Sequence, residues 1–309
     1  MKQLSIIIVT YNSEKDIYEC IKSIRKYSDI PLKNIELIVV DNNSKAPLPM
    51  FSKIKEIWGE QVITFQNKEN KGYGQGNNIG INISSAPIIL IMNPDVRLYE
   101  PIFKTAINAF EANKQIGLYG MKQMLTPTTA SSNSFSCTYM MNGYLATFIT
   151  AICIRFDIYI QKIMHISGAC FFLNKEMFEK AGMFDESNFL YCEEDDIHYR
   201  LRKTIPKIKM VFNKKLHYLH LTNDREPNLE YEKKIIIAAI KQNEKNGYPT
   251  IKTLKNRLAN TNLQIIREKI RQILGKGTPN QYSLLKNLKE YILDEILKAR
   301  KNDKKNSFN

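Results

Sequence analysis

Asp95 and a run of four acids at residues 193–196 are the residues of this sequence best placed for chemistry. Asp95 closes the segment 88–95, in which four apolar residues lead to Met92, Asn93, Pro94 and Asp95. Proline lacks the N–H that a sheet ladder needs, so a strand over 88–91 must end there, at the edge where open α/β sheets bind ligands. A carboxylate at that edge suits a divalent cation that also holds a diphosphate, and a solvated turn is the alternative.

The acidic run Glu193-Glu194-Asp195-Asp196 lies between apolar residues on a predicted helix. Glu193 and Asp196 would share one helix face, and Arg200 follows Asp196 by one turn. Crowded carboxylates raise one another's proton affinity, which suits a general base, whereas four acids at a helix start could also only complement the helix dipole. His217 and His220 follow at a spacing of three, either as metal ligands or as structural residues.

The elements that must position these residues follow from the apolar runs. Runs over 4–10, 35–40, 62–65 and 88–91 have strand length and β-branched composition, and residues from Ser13 onward and over 79–83 have helical spacing. This order predicts a mostly parallel α/β sheet with flanking helices. Three of the strands end in polar clusters on one edge, and Asp41 there could accept hydrogen bonds from a nucleobase or a ribose.

The segment 70–78 contains Gly72, Gly74 and Gly76. This spacing lets the backbone pass close to a ligand or begin a helix. It lacks the lysine of a Walker phosphate loop, and it follows the third strand instead of the first, unlike a dinucleotide-binding fingerprint.

The middle of the chain is harder to interpret. We expect a helix over 103–116, a Thr- and Ser-rich loop over 126–136, a strand over 166–173, a helix over 177–181, and a closing strand and loop over 209–220. The apolar and aromatic segment 139–163 is interpreted first as core, with an acceptor-binding loop and an interfacial helix as alternatives.

The charge is concentrated at the C-terminal end. The net charge is +14, and residues 251–309 contain 14 Lys and Arg against 5 Asp and Glu. After a helix over 229–246, this part is predicted to form two basic amphipathic helices with a disordered end, so we divide the chain into domains 1–248 and 249–309. The surplus indicates an anionic partner, membrane lipid or nucleic acid, with a solubilising helix face as the alternative.

Composition excludes several classes of protein. No stretch of 18 residues is free of charged and polar groups, so no transmembrane helix is expected, and the N-terminus shows no signal-peptide pattern. The five cysteines are scattered, which argues against a disulfide framework or a zinc site and for reduced thiols. We therefore expect a cytoplasmic protein that can lie on the inner face of the cell membrane.

As an ordered set, these motifs resemble glycosyltransferase family 2, the inverting enzymes of GT-A fold, and especially its rhamnosyltransferase-like branch. The matching segments, which cover about residues 4–247, are 5–12, 40–44, 70–78, 92–96, 167–169, 184–186 and 191–197 with Arg200. The resemblance implies a GT-A, Rossmann-like sheet. It also implies transfer of a sugar from a UDP- or dTDP-sugar to a hydroxyl of a glycan or lipid-linked acceptor, with Mg²⁺ or Mn²⁺ as cofactor and no nucleic-acid partner.

The resemblance also implies roles for individual residues. Asp95 matches the second acid of the family's metal-binding motif, in which Asn93 replaces the first, and His220 matches a histidine near the diphosphate, with His217 as the less favoured choice. Glu194 matches the catalytic base, where the family usually has Asp; Glu193 is the alternative, and Asp196 completes the catalytic candidates. The expected nucleotide contacts are Thr10, Tyr11, Asn12, Asp41, Asn43, Lys71, Gly72, Asn78 and Asn93. The expected pocket for donor and acceptor contains Gly168, Ala169, Tyr191 and Arg200.

Three other functions compete with this interpretation. A sugar-phosphate nucleotidylyltransferase would share the sheet and the metal acid, but it should have a basic Gly-rich loop after the first strand, which residues 10–15 do not resemble. A non-catalytic nucleic-acid or membrane binder would explain the basic tail and leave Asp95 and the acidic run without a role. An inactive glycosyltransferase-like protein is the third alternative.

Overall fold

A computed structural model describes residues 2–221 and 228–306, with side chains as far as Asn302. The chain forms two compact units. The sheet unit comprises Met1–Phe135 and His165–Thr222, and the helical unit comprises Ser136–Met164 and Asn223–Asn309. These units divide the chain at different residues from the expected boundary at 248/249, because the helix that follows residue 228 groups with the C-terminal helices.

The sheet unit alternates strands and helices. Its elements in chain order are β1 (Leu4–Thr10), α1 (Glu14–Lys26), β2 (Ile35–Asp41), α2 (Pro47–Trp58), β3 (Ile63–Gln66), α3 (Tyr73–Ile83), β4 (Ile88–Met92), β5 (Val96–Arg97), α4 (Phe103–Ala112), β6 (Ile116–Thr126), β7 (Thr129–Ala130), β10 (Cys170–Asn174), α6 (Lys175–Lys180), α7 (Glu193–Thr204) and β11 (Lys209–His220). The strands β8 (Phe135–Cys137) and β9 (Met164–Ile166) span the points at which the chain passes between the units.

The nine strands of the sheet run in the order β3-β2-β1-β4-β10-β6-β11-β5, with β7 paired to β6. The strands β3, β2, β1 and β4 are parallel, β10 is antiparallel to both of its neighbours, and β11 is parallel to β6. The predicted mostly parallel α/β sheet is therefore confirmed. The ends of β1, β2 and β4 lie on one edge, because Thr10 pairs with Asp41 and Ile7 with Ile91.

Continuous apolar runs account for the buried strands. All five residues of β4 are buried, and six of the seven residues of β1 are. The helix α1 covers the sheet with Ile17, Cys20, Ile21 and Ile24, the spacing on which its prediction was based. Burial of the strands on both faces is what a parallel sheet with covering helices requires.

The glycine-rich segment is part of a helix. We predicted a helix over 79–83, whereas α3 begins at Tyr73 and includes Gly74, Gly76 and Gly80. A Cβ atom on Gly76 would lie 2.7 Å from Val9 Cγ1, and one on Gly80 would lie 2.5 Å from Ile7 Cγ2. The glycines thus let the helix pack directly on β1, and this contact outweighs their low helix propensity.

Several other elements differ from their predictions. The helix α2 was not predicted, and α4 ends at Ala112 instead of residue 116. The Thr- and Ser-rich segment, which was predicted as a loop, contains β7. The predicted closing strand and loop form the single strand β11, with a bulge between Asn213 and His217.

The helical unit contains α5 (Gly143–Phe156), α8 (Leu229–Lys245), α9 (Thr250–Ile273) and α10 (Pro279–Asn306). Ile236, Leu254, Leu288, Ile292 and Ile296 form a core among α8, α9 and α10, so the predicted basic amphipathic helices are present. The predicted disordered end is wrong as far as Asn306, and residues 307–309 lie outside the described part of the chain.

The interpretation of residues 139–163 as core fails for most of α5. This helix buries only Gly143 and Cys153, and many of its large apolar side chains are exposed. In the part of the chain that the structure describes, no helix has the length and apolar character needed to cross a membrane.

Candidate active site

The turn after β4 places Asp95 beside a histidine from β11. The Nε2 atom of His220 lies 3.3 Å from Asp95 Oδ2, and both side chains are partly exposed. Backbone hydrogen bonds fix the two strand ends, since the Leu221 N–H donates to the Asp95 carbonyl at 3.1 Å. The structure therefore brings together the two residues expected to bind a metal, 125 positions apart in the sequence.

The other histidine of β11 has a different partner. The Nδ1 atom of His217 lies 2.9 Å from Glu100 Oε1, and the His217 N–H donates to the same oxygen at 2.6 Å. Of the two histidines, His220 is thus the one beside Asp95.

The donors at this turn fit a divalent cation that also binds a diphosphate. A carboxylate and an imidazole are ligands that Mn²⁺ accepts, and Mg²⁺ or Mn²⁺ in such sites takes one or two protein side chains and fills the remaining positions with phosphate oxygens and water. Among the described residues, no group of three or more His, Cys, Asp or Glu side chains could hold a metal alone. A cation at Asp95 and His220 would accordingly depend on the bound ligand.

The acidic run begins α7, and its four side chains differ in accessibility. Glu193, Asp195 and Asp196 are 4%, 5% and 1% exposed, whereas Glu194 is partly exposed. The helix follows Tyr191 and Cys192, which have φ values of 78° and 70° in the left-handed region. Such backbone is strained in residues other than glycine, by about 1–3 kcal/mol each, and the turn must be held by its surroundings.

The carboxylate of Glu194 is held by the turn that precedes β10. Its Oε1 atom accepts a hydrogen bond from the Gly168 N–H at 3.1 Å. A Cβ atom on residue 168 would lie 2.2 Å from that oxygen, so only glycine leaves room for the glutamate in this position.

The same turn joins Glu194 to the Asp95 side of the site. The Asn93 N–H donates to the carbonyl of Ala169 at 2.8 Å, and the Tyr73 hydroxyl donates to the carbonyl of Gly168 at 2.8 Å. Thus two adjacent residues, Gly168 and Ala169, contact both the acidic helix and the end of β4.

Tyr218 of β11 is a fully buried phenol in the same unit. Burial raises the pKa of its hydroxyl far above the usual value, and the charges of Glu194 and Asp95 are among the smaller contributions to this shift.

Glu193 is a buried carboxyl group beside Glu194. Burial, followed by the charge of Glu194, raises the pKa of Glu193 to about 8. Its Oε1 atom has no hydrogen-bond partner among the described residues. Burial therefore favours the protonated form of Glu193, and Glu194 is the accessible member of the pair.

A buried histidine that the sequence analysis did not single out fixes the start of α7. The Ile166 N–H donates to His198 Nε2 at 3.1 Å, so Nδ1 carries the proton and donates to the Glu194 carbonyl at 2.6 Å. Burial lowers the pKa of His198 to about 3, and the ring is neutral. Its position five residues after Glu193 was the only signal available in the sequence.

Asp196 and Arg200 form a structural pair. The Arg200 Nε atom donates to Asp196 Oδ2 at 2.8 Å, and the guanidinium also donates to the carbonyls of Ala181 and Met183. These contacts give Asp196 and Arg200 a role in holding α7, and their predicted roles as a catalytic acid and a pocket residue stay predictions.

At the edge of the sheet where nucleotide contacts are expected, Thr10 at the end of β1 contacts the loop that follows β2. Asp41 is fully buried, and its carboxylate accepts hydrogen bonds from Thr10 Oγ1 at 3.0 Å and from the Ser44 N–H at 2.8 Å. The Asn12 N–H donates to Ser44 Oγ at 2.7 Å, which ties the loops after β1 and β2 together. Ser44, which was not among the expected contacts, is therefore central to this edge.

The exposed groups at this edge are Tyr11, Asn12 and Asn43. Tyr11 is 54% exposed, and Asn12 and Asn43 have positive φ values of 50° and 63°. Contact of these residues with a nucleotide stays a prediction.

Three of the remaining expected nucleotide contacts, Lys71, Gly72 and Asn78, lie in or just before α3, and the fourth, Asn93, follows β4. Gly72 precedes the helix with φ 97°, and Lys71 is exposed and paired with Glu69 at 2.6 Å. Asn78 is buried, and its amide bonds the backbone of Phe184 and the side chain of Glu186. The structure thus uses Asn78 to hold a loop, whereas Lys71 and Gly72 stay candidates for ligand contact.

Asn42 connects these two groups of residues. Its amide donates to the carbonyl of Gly72 at 2.9 Å and accepts from Asn67 Nδ2 at 2.6 Å. This role of Asn42 could not be predicted from its neighbours, because its partners come from later parts of the chain.

Comparison with known proteins identifies the family. The model of the family described as "Glycosyl transferase family 2" matches residues 5–182, more than half of the chain. The chain belongs to this family. The matched range contains Asp41, Asp95 and Gly168 and ends before the acidic run.

A curated relative is the low-salt glycan biosynthesis hexosyltransferase Agl10 of Haloferax volcanii. It is 25% identical over 209 residues, which cover 66% of this chain and 62% of the relative. The chain thus spans less than two thirds of the length of that relative.

Solved structures of similar fold include a mannosyltransferase, PcManGT from Pyrobaculum calidifontis, in complex with GDP-Man and Mn²⁺. It has a TM-score of 0.61 and 14% identity, with 96% of this chain and 86% of that chain covered. S. aureus TarS 1–349 has a TM-score of 0.54 and 16% identity, with 93% and 78% covered. These likenesses establish the GT-A fold for this chain.

Proposed function

We propose that the protein is an inverting glycosyltransferase that moves a sugar from a UDP- or dTDP-sugar to a hydroxyl of a glycan or lipid-linked acceptor. One observation carries this proposal. Of four consecutive acids, only Glu194 is accessible, and the turn at Gly168 and Ala169 joins it to the end of β4, where Asp95 and His220 lie. A proton acceptor and a pair of cation ligands around one turn are what displacement of a diphosphate by a hydroxyl requires.

In this proposal Glu194 is the general base. Its carboxylate would accept the proton of the acceptor hydroxyl as that oxygen attacks the anomeric carbon. The Gly168 N–H orients Oε1, and His198 fixes the backbone carbonyl of the same residue. Burial raises the pKa of the neighbouring Glu193, so its protonated form is favoured beside the accessible Glu194.

Asp95 and His220 would hold Mg²⁺ or Mn²⁺. When bound, this ion would stabilise the negative charge that develops on the departing diphosphate. The complex of PcManGT with GDP-Man and Mn²⁺ supports such a site by analogy of fold.

The nucleotide would lie against the ends of β1 and β2. Asp41 and Ser44 hold the loops there, so Tyr11, Asn12 and Asn43 are left as the exposed groups that could contact a base or ribose. A structure of TarS 1–349 contains UDP, which supports a uridine nucleotide as one of the two donor classes proposed.

A role in cell-surface polysaccharide biosynthesis is supported by the glycan biosynthesis named for Agl10. The surplus of 14 basic over 5 acidic residues in 251–309 further supports attraction of the C-terminal helices to an anionic membrane surface, where a lipid-linked acceptor would be found. Steep loss of liposome binding with added salt would test that attraction.

The experiment for the proposed function is a panel of UDP- and dTDP-sugars, each incubated with Mn²⁺ and then with EDTA. We expect metal-dependent release of UDP or dTDP from one donor, and a product whose anomeric configuration is inverted relative to the donor. Formation of pyrophosphate from a sugar phosphate and a nucleoside triphosphate, with no donor cleavage, would contradict the proposal and favour a nucleotidylyltransferase.

A further inference from the structure

One face of α5 presents large apolar side chains to solvent. Phe148 and Phe156 are 65% and 63% exposed, and the same face includes Tyr144, Leu145 and Ile152. The helix is well formed, since the Asn142 side chain accepts hydrogen bonds from the N–H groups of Tyr144 and Leu145. Contiguous exposed apolar surface of this kind marks an interaction site.

A second exposed apolar stripe lies on the helix against which α5 packs. Ile266, Ile270 and Ile273 of α9 are exposed. A Cβ atom on Gly143 would meet the Asn256 carbonyl at 1.9 Å, and the Asn260 side chain donates to Thr147 Oγ1 at 2.8 Å. Gly143 lies beside Asn256, and Thr147, four residues later, lies beside Asn260, so α5 and α9 run in the same direction there.

The surroundings of these stripes are positively charged. Within 143–162 and 265–276 the acids are Asp157, which is partly buried, and Glu268, which is buried. The same segments expose six cations: Arg155, Lys162, Arg267, Lys269, Arg271 and Lys276. The helical unit as a whole contains 21 Lys and Arg against 11 Asp and Glu, while the sheet unit contains 24 against 20.

Several apolar residues of the C-terminal helices are buried inside the helical unit. Leu254 of α9 and Leu288, Ile292 and Ile296 of α10 form its core with Ile236. Outside this core, α8 and α10 expose Ile237, Leu293 and Leu297, whereas α5 and the end of α9 expose whole stripes of apolar side chains.

We propose that α5 lies in the interface of an anionic lipid bilayer. Its face with Leu145, Phe148 and Phe156 inserts into the boundary between headgroups and acyl chains, and the cations on α5 and α9 contact lipid phosphates. An apolar stripe flanked by basic residues, on a helix too short to span a bilayer, is the pattern of an interfacial helix. This goes beyond charge attraction by the tail, and it does not depend on the transfer reaction.

The first test compares two exposed leucines in the first turns of their helices. Leu145 is the third residue of α5, and Leu48 is the second residue of α2 in the sheet unit. Aspartate is favourable in a first turn, so both variants should fold. For vesicles of phosphatidylglycerol and phosphatidylcholine in equal parts, we expect Leu145→Asp to lower the partition coefficient about tenfold, because a charged side chain replaces an apolar one that enters the lipid. Leu48→Asp should leave it unchanged.

The second test measures insertion directly. Trp58 is the single tryptophan and is buried in the sheet unit, so its fluorescence is a constant background. In Phe148→Trp, we expect the added fluorescence to shift to the blue and to be quenched by brominated acyl chains in the anionic vesicles.

Three results would overturn the proposal: unchanged partitioning of Leu145→Asp, absence of quenching in Phe148→Trp on bound vesicles, or a dimer in solution that Leu145→Asp dissociates without any vesicle binding. The last would make a second copy of the chain the occupant of this face. Donor cleavage in solution should be the same for Leu145→Asp and the wild type. A failure of this proposal is thereby separated from a failure of the proposed enzymatic function.

Discussion

The two sides of the candidate site are built in opposite ways. At the ends of β1 and β2, the buried carboxylate of Asp41 is fully engaged by Thr10 and Ser44. At the start of α7, the buried carboxyl of Glu193 has an oxygen without a hydrogen-bond partner in the described part of the chain, and two left-handed residues precede it. The carboxylate of Asp41 is thus fully hydrogen-bonded, whereas the carboxyl group of Glu193 is buried without a full set of hydrogen bonds, which lowers the stability of the fold.

The difference indicates which side holds a ligand in place and which side transfers a proton. A fully hydrogen-bonded carboxylate keeps its loops rigid, which suits a surface against which a nucleotide is laid. A desolvated acid beside an accessible one shifts proton affinities, which suits a base. Substitutions on the two sides should therefore have different signatures, and the following predictions run from the largest expected effect to the smallest.

Glu194→Gln should have the largest effect. Removing the proton acceptor should lower kcat for transfer by roughly a thousandfold, within the range known for general-base catalysis, with little change in stability. The measurement is kcat with saturating donor. Glu193→Gln should change kcat by less than about tenfold, and a loss in that variant as large as in Glu194→Gln would transfer the role of base to Glu193.

Asp95→Asn should lower kcat/KM for the donor by about a hundredfold or more and raise the Mn²⁺ concentration needed for half-maximal activity, because the charged ligand is lost. Glu100→Gln is the matched control, since Glu100 pairs with the other histidine of β11. Equal losses in the two variants would contradict a special role of the Asp95–His220 pair.

Asp41→Asn tests the opposite side of the comparison. The amide cannot accept all the hydrogen bonds that the buried carboxylate accepts, so the free energy of unfolding should fall by about 2–3 kcal/mol. Denaturant titration would measure this loss. An unchanged free energy of unfolding, together with lost nucleotide binding, would show that Asp41 acts on the ligand instead of on the loops.

Gly168→Ala should lower kcat by about tenfold with little loss of stability. The new Cβ would lie within 2.2 Å of Glu194 Oε1 and displace the end of a flexible side chain. The shorter side chain of Glu194→Asp leaves more room for the added methyl group. In that background, Gly168→Ala should therefore lower kcat by less than it does in the wild type. Absence of any coupling between the two positions in a double-mutant cycle would argue against the contact.

Glu193→Gln should have the smallest effect on activity, and its signature should appear in stability as a function of pH. The folded protein binds a proton at Glu193 up to about pH 8, whereas the unfolded chain loses it near the ordinary carboxyl pKa of 4.5. Stability of the wild type should therefore fall as the pH rises from about 5 to 8 and level off above, and Glu193→Gln should lack this part of the decline. Parallel melting curves of the two proteins across this range would refute the buried-acid assignment.

Much of the sheet and part of the site could be predicted because their signals are local. Continuous apolar runs identified β1, β2 and β4, and the proline after β4 marked its end. Asp95, at that end, and the acidic run 193–196 could be singled out from their neighbours in the sequence, whereas the resemblance to a family pointed to Glu194 within the run and to His220 near the metal.

The features that could not be predicted depend on partners far away in the sequence. Asp196, Arg200 and Asn78 have the residue types of a site, yet each is engaged with a loop over 181–186. The helix α5 has the composition of core and is exposed. Composition alone does not reveal which surface an apolar helix contacts.

The most direct test of the account is a crystal structure of the protein with Mn²⁺ and UDP, with the metal located from its anomalous scattering. We expect one manganese peak within coordination distance of Asp95 and His220, with the Glu194 carboxylate facing the same cleft and Glu193 still buried behind it. A peak on the acidic run 193–196, or a Glu194 side chain that opens away from the bound diphosphate, would contradict it.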